Sequence, residues 1–143
     1  MTIKDIYDKI LPAASMGIKA LTYDGKELTV SAPLEPNLND KGTAFAGSIY
    51  SSLVLSGWAL VTMLLRDRNI DVDVVIATSS MDYVAPVAGD LCATATVVDE
   101  SDLEPFYTRI DIKGRGKLTI TSGLVSNGTK CAVFTGTYFA RVL

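Results

Sequence analysis

The feature that most constrains this chain is a long uncharged stretch near its middle. No charged side chain occurs from Gly42 to Leu65, and no turn signal interrupts the run after Ser48. Apolar side chains would lie on all sides of a helix drawn through residues 48–65, so such a helix has no polar face and must be enclosed. A polar loop that contains glycines, residues 37–47, leads into it. The sequence therefore predicts one long helix in the core of the fold.

A membrane span is the alternative interpretation of the same stretch, because about 20 apolar residues cross a bilayer. Two observations favour a core helix. The sequence on both sides has the alternating pattern of β-strands. Small and hydroxyl-bearing residues also interrupt the run, and their hydroxyls can bond to carbonyls one helical turn earlier. These residues are Ser48, Ser51, Ser52, Ser56, Gly57 and Thr62. We therefore expect no membrane partner.

Length and charge indicate one domain and exclude a nucleic-acid partner. With 143 residues the chain can bury a core of its own, so we expect a single domain over residues 1–143. The formal net charge of −3 provides no positive field that could hold a polyanion. Residues 1–8 are rich in charge and lack the apolar segment of a signal peptide. We expect a cytoplasmic protein.

The absence of histidine excludes whole classes of catalytic site. Ser-His-Asp triads, Cys-His nucleophiles, histidine bases and histidine-containing zinc sites all need this residue, and the chain has none. Cys92 and Cys131 lie in apolar, strand-like segments and are expected to be free thiols rather than a metal site. We expect no metal and no cofactor. Any acid-base chemistry must use carboxylates, hydroxyls, backbone dipoles or a bound water.

The remaining predicted elements are an N-terminal helix, six strands, and a short helix between the fourth and fifth strands. Residues 2–11 form an amphipathic helix with a capping pattern at Thr2, and Pro12 is expected to end it. Asp24-Gly25 and Asn127-Gly128 are favoured hairpin turns. The predicted strands are residues 16–23, 26–34, 72–85, 89–99, 115–126 and 130–142, with a short helix over residues 101–110.

This order of elements favours an α+β hotdog fold. A single apolar helix between the second and third strands is best buried when an antiparallel sheet of five to six strands curls around it. The alternative is a helix on an open sheet, which would leave one side of Tyr50 and Trp58 in water unless an oligomer covered it. The long edge of the third strand also leads us to expect a homodimer or a larger homo-oligomer.

Residues 39–50, NDKGTAFAGSIY, resemble the NDKGTAFGGSLY signature of the YiiD-type (C-terminal domain) thioesterase family, whose members have the hotdog fold. The segments LPAASMGI, SAPLEPNLN, DYVAPVAGD, KGRGKL and FTGTYFARV also fit this family, so the similarity covers nearly the whole chain. More distantly, NxxGTxFAG resembles the NxxGxxHGG element of acyl-CoA thioesterases of the phenylacetate-pathway type. The resemblance implies a dimer with acyl-thioester sites at its interface.

Two positions depart from the related enzymes. Phe45 stands where those enzymes have histidine, and Val54 stands where they carry a catalytic carboxylate. What remains is the loop with Asn39 and Asp40 and the exposed amides at the helix start. The departures affect the expected mechanism more than the expected fold or ligand.

The start of the central helix is the first candidate site. Backbone N–H groups and the positive end of the helix dipole can polarise a thioester carbonyl as an oxyanion hole does. Asp40 is the candidate base and Asn39 could orient the water or the substrate. The alternatives are tight packing of the helix end, a solvated Asp40 and an Asx-turn at Asn39. The predicted substrate-binding residues are Gly42, Thr43, Phe45, Ala46, Gly47, Ser48, Ser79 and Ser80.

Two further groups have weaker support. Asp82 is a second candidate base, although an edge-strand charge that prevents mispairing explains it equally well. Lys113, Arg115 and Lys117 alternate with glycines, so in an extended chain the three cations point the same way. Given the ligands of the family, the phosphates of coenzyme A are the expected guest, and a solvated strand face is the alternative.

Three functions therefore remain open. The first is hydrolysis of an acyl-CoA or acyl-carrier-protein thioester, with Asp40 as the catalytic residue. The second is a non-catalytic module that binds acyl-CoA, as the apolar Phe45 and Val54 suggest. The third is a structural dimerisation domain. A hotdog dehydratase fits least, because that chemistry resembles work by histidine and an acid.

Overall fold

The structure is a computed structural model that describes residues 7–143, apart from the side chain of Leu21. The predicted cap at Thr2 lies outside these residues. Residues 7–9 are helical, the helix is interrupted at Ile10, and helix α1 spans Leu11–Met16. The first helix therefore ends before Pro12, as predicted, but Pro12 also lies in the first turn of a second helix that was not predicted. Backbone N–H groups in the first turn of a helix have no acceptor within the helix, so proline, which lacks this N–H, loses no hydrogen bond there.

One antiparallel sheet contains all six strands of the described chain. Its strand order is β1-β2-β4-β5-β6-β3, so β1 and β3 form the two edges. The sequence predicted every one of these strands, and the observed limits are within a few residues of the predicted ones. The strands are β1 (Lys19–Tyr23), β2 (Leu28–Ala32), β3 (Val72–Tyr83), β4 (Leu91–Val97), β5 (Arg115–Ser126) and β6 (Thr129–Val142).

Both predicted hairpin turns are confirmed, and each has a local cause. The Asp24 carboxylate accepts hydrogen bonds from the backbone N–H groups of Lys26 and Glu27, at 2.9 and 2.8 Å. Asn127 and Gly128 join β5 to β6 with φ angles of 50° and 75°. Two successive left-handed residues are what a type I′ turn requires, and its twist matches that of the flanking strands.

The central helix, α2, spans Ala46–Arg66 and is wrapped by the sheet. Leu53, Leu60 and Leu65 are completely buried in the core. The hydroxyls of Ser52 and Thr62 donate to carbonyls four residues earlier, as predicted. The helix is long and apolar enough to cross a bilayer, yet most of it is buried inside the protein. It is the core helix of a hotdog fold, as the sequence predicted.

Two tyrosines hold the middle of α2. The Tyr138 hydroxyl of β6 donates to the carbonyl of Val54 at 2.6 Å, and the Tyr7 hydroxyl donates to the carbonyl of Leu55 at 2.9 Å. A Cβ at Gly57 would overlap the Tyr138 ring. Glycine at this helical position therefore lets the ring reach the backbone of α2.

A third helix, α3 (Leu103–Lys113), closes the C-terminal end of α2. It begins two residues after the predicted start, since Glu100–Asp102 form a 3-10 turn, and it continues to Lys113, where Gly114 ends it with a φ of 71°. The Arg68 guanidinium, just past α2, lies 4.0 Å from the ring centroid of Tyr107 on α3. Because Lys113 belongs to a helix, the predicted extended row of three cations was wrong. Only Arg115 and Lys117 lie in β5.

Candidate active site

The N-terminal end of α2 presents two free backbone donors. Phe45 precedes the helix and provides no side-chain cap. The amides of Ser48 and Ile49 donate to the Phe45 carbonyl, at 3.0 and 3.1 Å. The amides of Ala46 and Gly47 have no acceptor in the described part of the chain. These two N–H groups stand at the positive end of the helix dipole, where a negative charge is stabilised.

The Phe45 ring lies directly on Gly47. A Cβ at Gly47 would overlap the ring, so the close approach depends on glycine. Phe45 as a whole remains 57% exposed, and its amide donates to the Asn37 carbonyl at 2.7 Å. The helix start is therefore bordered by an accessible aromatic ring and is not filled by the core.

Asn39 shapes the loop before the helix. Its side-chain oxygen accepts from the amides of Lys41 and Thr43, at 2.8 and 3.1 Å. Its side-chain nitrogen donates to the Thr43 hydroxyl at 2.8 Å and to the Ala44 carbonyl at 3.3 Å. Gly42 provides the left-handed turn with a φ of 78°. The geometry is that of the Asx-turn alternative, and Asn39 has few hydrogen-bonding positions left for a water or a substrate.

Asp40 extends from this loop into solvent. Its side chain is 82% exposed, and its only ion pair in the described chain is with Lys41 at 3.1 Å. A cavity of about 380 Å³ lies between the loop, the helix start and the segment that follows β3. Asn39, Thr43, Ala44, Ala46, Ile49 and residues 83–87 line it. The structure brings Asn39, Thr43 and Ala46 to this cavity, whereas Asp40 does not line it and Ser48 is buried.

The two predicted serines of β3 face opposite sides of the sheet. The Ser79 hydroxyl contacts the Tyr50 hydroxyl of α2 at 2.6 Å, so Ser79 faces the helix. Successive side chains alternate along a strand, so Ser80 and Asp82 face away from it. Ser80 is paired in register with Thr135 of β6. The structure therefore places Ser79 on the helix side of the sheet and does not bring Ser80 to the helix start.

Two tyrosines near the helix start were missed as functional candidates. Tyr50 was counted with the apolar residues of α2, but its hydroxyl pairs with Ser79. The Tyr83 hydroxyl donates to the Ala46 carbonyl at 3.3 Å. The sequence contained a signal for both tyrosines. Tyr83 is four residues after Ser79 and so faces the same side of β3, and Tyr50 lies one helical turn after Ala46.

An apolar groove follows the side of α2 that the sheet leaves uncovered. It consists of two adjoining cavities, of about 210 and 320 Å³, that share Ile10, Val54 and Leu55. The first includes Tyr50 and the second reaches Trp58. The groove therefore runs along α2 for about two turns from the Tyr50 side chain.

Comparison with known proteins identifies the family. Residues 2–142 match the family described as "Putative thioesterase (yiiD_Cterm)". This chain belongs to that family. A crystal structure of a protein of unknown function from Chlorobaculum tepidum is 31% identical, with a TM-score of 0.87 over 97% of this chain and 91% of that one. A Shewanella oneidensis protein described as a "putative thioesterase" is 32% identical, with a TM-score of 0.86 over 97% and 94%.

A more distant structure shows the same fold. The PaaI protein of the Escherichia coli phenylacetic acid degradation operon is 16% identical, with a TM-score of 0.72 over 97% of this chain and 88% of that one. In the present family member neither position expected to be reactive has an acid-base group. Phe45 is exposed beside the helix start and Val54 lies half-buried in the groove. Any acid-base group must therefore come from another position.

The opposite end of this thioesterase-family domain holds features that are separate from the helix start. Arg115 and Lys117 lie at the start of β5, which pairs with the end of β6 opposite Asp73, and Asp73 follows the C-terminal end of α2. Ala46 begins this helix, which has 21 residues and is about 30 Å long. A cavity of about 440 Å³ also lies at this end, and its ionisable residues are Asp24, Lys26, Glu27, Glu100, Glu104 and Tyr107. Its carboxylates outnumber its single lysine, and no group of residues in the described chain could hold a metal ion. This cavity is unsuited to an anionic ligand.

Proposed function

We propose that this chain hydrolyses an acyl thioester, carried by coenzyme A or by an acyl-carrier protein, at the N-terminal end of α2. Membership of the thioesterase family supports the reaction class. The observation that carries the position is the pair of free amides at Ala46 and Gly47 beside an open cavity. The apolar groove further along α2, which begins at Tyr50, offers a place for the acyl chain.

The proposed reaction needs one water and no cofactor. Water attacks the carbonyl carbon, and the negative charge that develops on the carbonyl oxygen is stabilised by the amides of Ala46 and Gly47. The carbon–sulfur bond then breaks, and the products are a carboxylate, a thiol and one proton. Asp40 is the proposed base, and the loop held by Asn39 positions it. Its exposed pair with Lys41 contributes at most about 1 kcal/mol, so the carboxylate can turn towards the helix start.

Thiol release from a panel of acyl-CoA esters tests this function. The wild-type protein is expected to hydrolyse at least one of them, and Asp40→Asn to lose at least about 100-fold in kcat, within the usual contribution of a general base. Glu35→Gln is the matched control, because Glu35 is also an exposed carboxylate on the segment before α2. It should keep the wild-type rate. Absence of turnover across short, medium and long acyl chains would contradict the proposal.

Non-catalytic binding of acyl-CoA is the second candidate function. The apolar side chains at Phe45 and Val54 favour it, since related enzymes are expected to carry reactive groups there. It predicts that calorimetry detects binding of an acyl-CoA ester that remains intact after hours with the protein. Hydrolysis of the same ester would eliminate this candidate.

We also propose that two copies associate through β3. This strand of 12 residues forms one edge of the sheet, so one row of its backbone donors and acceptors has no partner strand in the described chain. Val75 on this strand and Val84 just after it are more than half exposed. Sedimentation analysis should give the mass of a dimer or a larger assembly. A monomer at micromolar concentration would contradict this proposal.

A further inference from the structure

We infer that the Tyr50 hydroxyl is a catalytic hydrogen-bond donor to the thioester carbonyl oxygen and that Ser79 is the residue that positions it. This inference rests on the proposed function and assigns a side chain to the same site. It supplies a polar group at a site where Phe45 and Val54 provide none.

A count of protons supports the assignment. The Tyr50 and Ser79 hydroxyls are 2.6 Å apart, and either oxygen can be the donor. Each hydroxyl has one proton, and the bond between them uses only one of the two. Neither hydroxyl has another hydrogen-bond partner in the described part of the chain. When Ser79 donates to Tyr50, the tyrosine proton is left free for a ligand.

The surroundings of Tyr50 fix this donor in place. Its ring makes an edge contact with Phe134, with centroids 5.9 Å apart and planes at 75°. Side chains on a helix lean towards its N-terminal end, so the Tyr50 ring leans back over the first turn of α2. Ala46 lies only four residues earlier, about 6 Å along the helix axis. The free amides and the spare hydroxyl proton therefore lie on neighbouring turns.

The position of the pair also matches the accessible groove. Ser79 is exposed, and Tyr50 is half-buried and lines the first cavity of the groove along α2. Val54 lies one turn further along the same side of the helix. A thioester whose carbonyl oxygen meets the amides can thus lay its acyl chain past Tyr50 towards Val54 and Leu55.

The role assigned to Tyr50 needs no proton transfer to or from the tyrosine. As water adds to the carbonyl carbon, the π bond opens and its electron pair moves to the oxygen, where the Tyr50 proton strengthens its hydrogen bond. When the carbon–sulfur bond breaks, that electron pair returns and the tyrosine is unchanged. The proton of the attacking water leaves through Asp40, and the thiolate leaving group takes up a proton.

Kinetics of four variants test the inference on the best acyl-CoA ester of the wild-type protein. Tyr50→Phe keeps the ring and removes only the donor, so kcat should fall about 100-fold, as for loss of one oxyanion-hole donor, while KM changes less than about threefold. Ser79→Ala should lower kcat about tenfold, and Ser79→Thr, which restores a hydroxyl, should recover most of that loss. Tyr23→Phe is the matched control, since that hydroxyl bonds to Asp67 at the other end of α2.

The outcomes separate this inference from the proposed function. If the wild-type protein hydrolyses the ester and Tyr50→Phe keeps its kcat, the inference is wrong and the hydrolase function stands. Equal losses in Ser79→Ala and Ser79→Thr would contradict the positioning role of Ser79. If the wild-type protein hydrolyses no ester, the proposed function fails and the inference fails with it. A shared loss in Tyr23→Phe would show a structural effect and also overturn it.

Discussion

The two ends of α2 are built in opposite ways. At the C-terminal end Leu60 and Leu65 are completely buried, and the Arg68 guanidinium stacks on Tyr107 of α3. At the N-terminal end no side chain caps the helix, and the Phe45 ring and the Ser79 hydroxyl remain exposed. A helix end that exposes free amides and pairs hydroxyls at the surface contributes little to stability. We call the C-terminal end of α2 the closed end and the N-terminal end the open end. We infer that the closed end maintains the fold and that the open end is kept for ligands.

The largest expected effect is loss of stability at the closed end. Leu60→Ala should lower the free energy of unfolding by about 3 kcal/mol, because it leaves a cavity in a fully buried site. Leu55→Ala is the matched change on the groove side, where the side chain is half-buried, and should cost about 1 kcal/mol. Denaturant unfolding measures both. Equal losses would mean that the groove side is packed as tightly as the core.

Gly47→Ala should affect activity more than stability. The added methyl overlaps the Phe45 ring and pushes it across the free amides, so thioester hydrolysis should fall at least about tenfold. The higher helix propensity of alanine, about 1 kcal/mol, offsets the cost of moving an exposed ring. In a Phe45→Ala background, where the overlap is absent, Gly47→Ala should stabilise the protein. A large loss of stability in both backgrounds would show that the open end supports the fold.

Alkaline pH tests the middle of the helix. Burial raises the pKa of Tyr7 and of Tyr138 far above the ordinary tyrosine value. Above about pH 10 these tyrosines ionise in the unfolded chain and stay protonated in the folded one, so the folded state binds more protons. Stability is therefore complete below pH 10 and should fall by about 1.4 kcal/mol per pH unit for each tyrosine as the pH rises further.

The Tyr138→Phe variant isolates the contribution of Tyr138 to this pH dependence of stability. Between roughly pH 10 and 12, the free energy of unfolding of the variant should fall less steeply with pH than that of the wild type, by about 1.4 kcal/mol per pH unit. Below pH 9 the two slopes should be the same. Denaturant midpoints across this range give the slope. An unchanged slope would mean that the Tyr138 hydroxyl can ionise in the folded protein and that the Tyr138 ring does not enclose α2 at Gly57.

The smallest expected effect concerns the cations beside the closed end. We propose that Arg115 and Lys117 contact phosphates of coenzyme A bound to a second copy, because β5 begins beside the C-terminal end of α2 whereas Ala46 begins this helix, which is about 30 Å long. Reversing both charges should raise KM for an acyl-CoA about two- to threefold and leave KM for the same acyl-pantetheine unchanged. An unchanged KM for acyl-CoA would overturn the phosphate-binding proposal.

The fold could be predicted from the sequence because its signals are periodic and local. The uncharged run fixed α2, and alternation with turn residues located the strands and both hairpins. Helix α1 was missed because proline, which was expected only to end the preceding helix, is also tolerated at the start of a helix. Lys113 was misjudged because Gly114 can be part of a strand or end a helix, and only the packing of α3 decides between them.

The site was less predictable because it depends on contacts between distant segments. Motif spacing pointed to the helix start as a candidate, but it left open whether Asn39 bonds within its own loop and did not indicate that Asp40 pairs with Lys41. The face of Ser79 depends on how β3 lies against α2. The contact of Ser79 with Tyr50 joins residues 29 positions apart, which no local pattern encodes.

The most direct test of the account is a crystal structure with a non-hydrolysable ketone analogue of an acyl-CoA, in which a methylene group separates the sulfur from the carbonyl. We expect the carbonyl oxygen of the analogue within hydrogen-bonding distance of the amides of Ala46 and Gly47, with the acyl chain in the groove beside Val54. A ligand bound in the acidic cavity near Glu100, with the start of α2 unchanged, would contradict the claim that the open end is the active site.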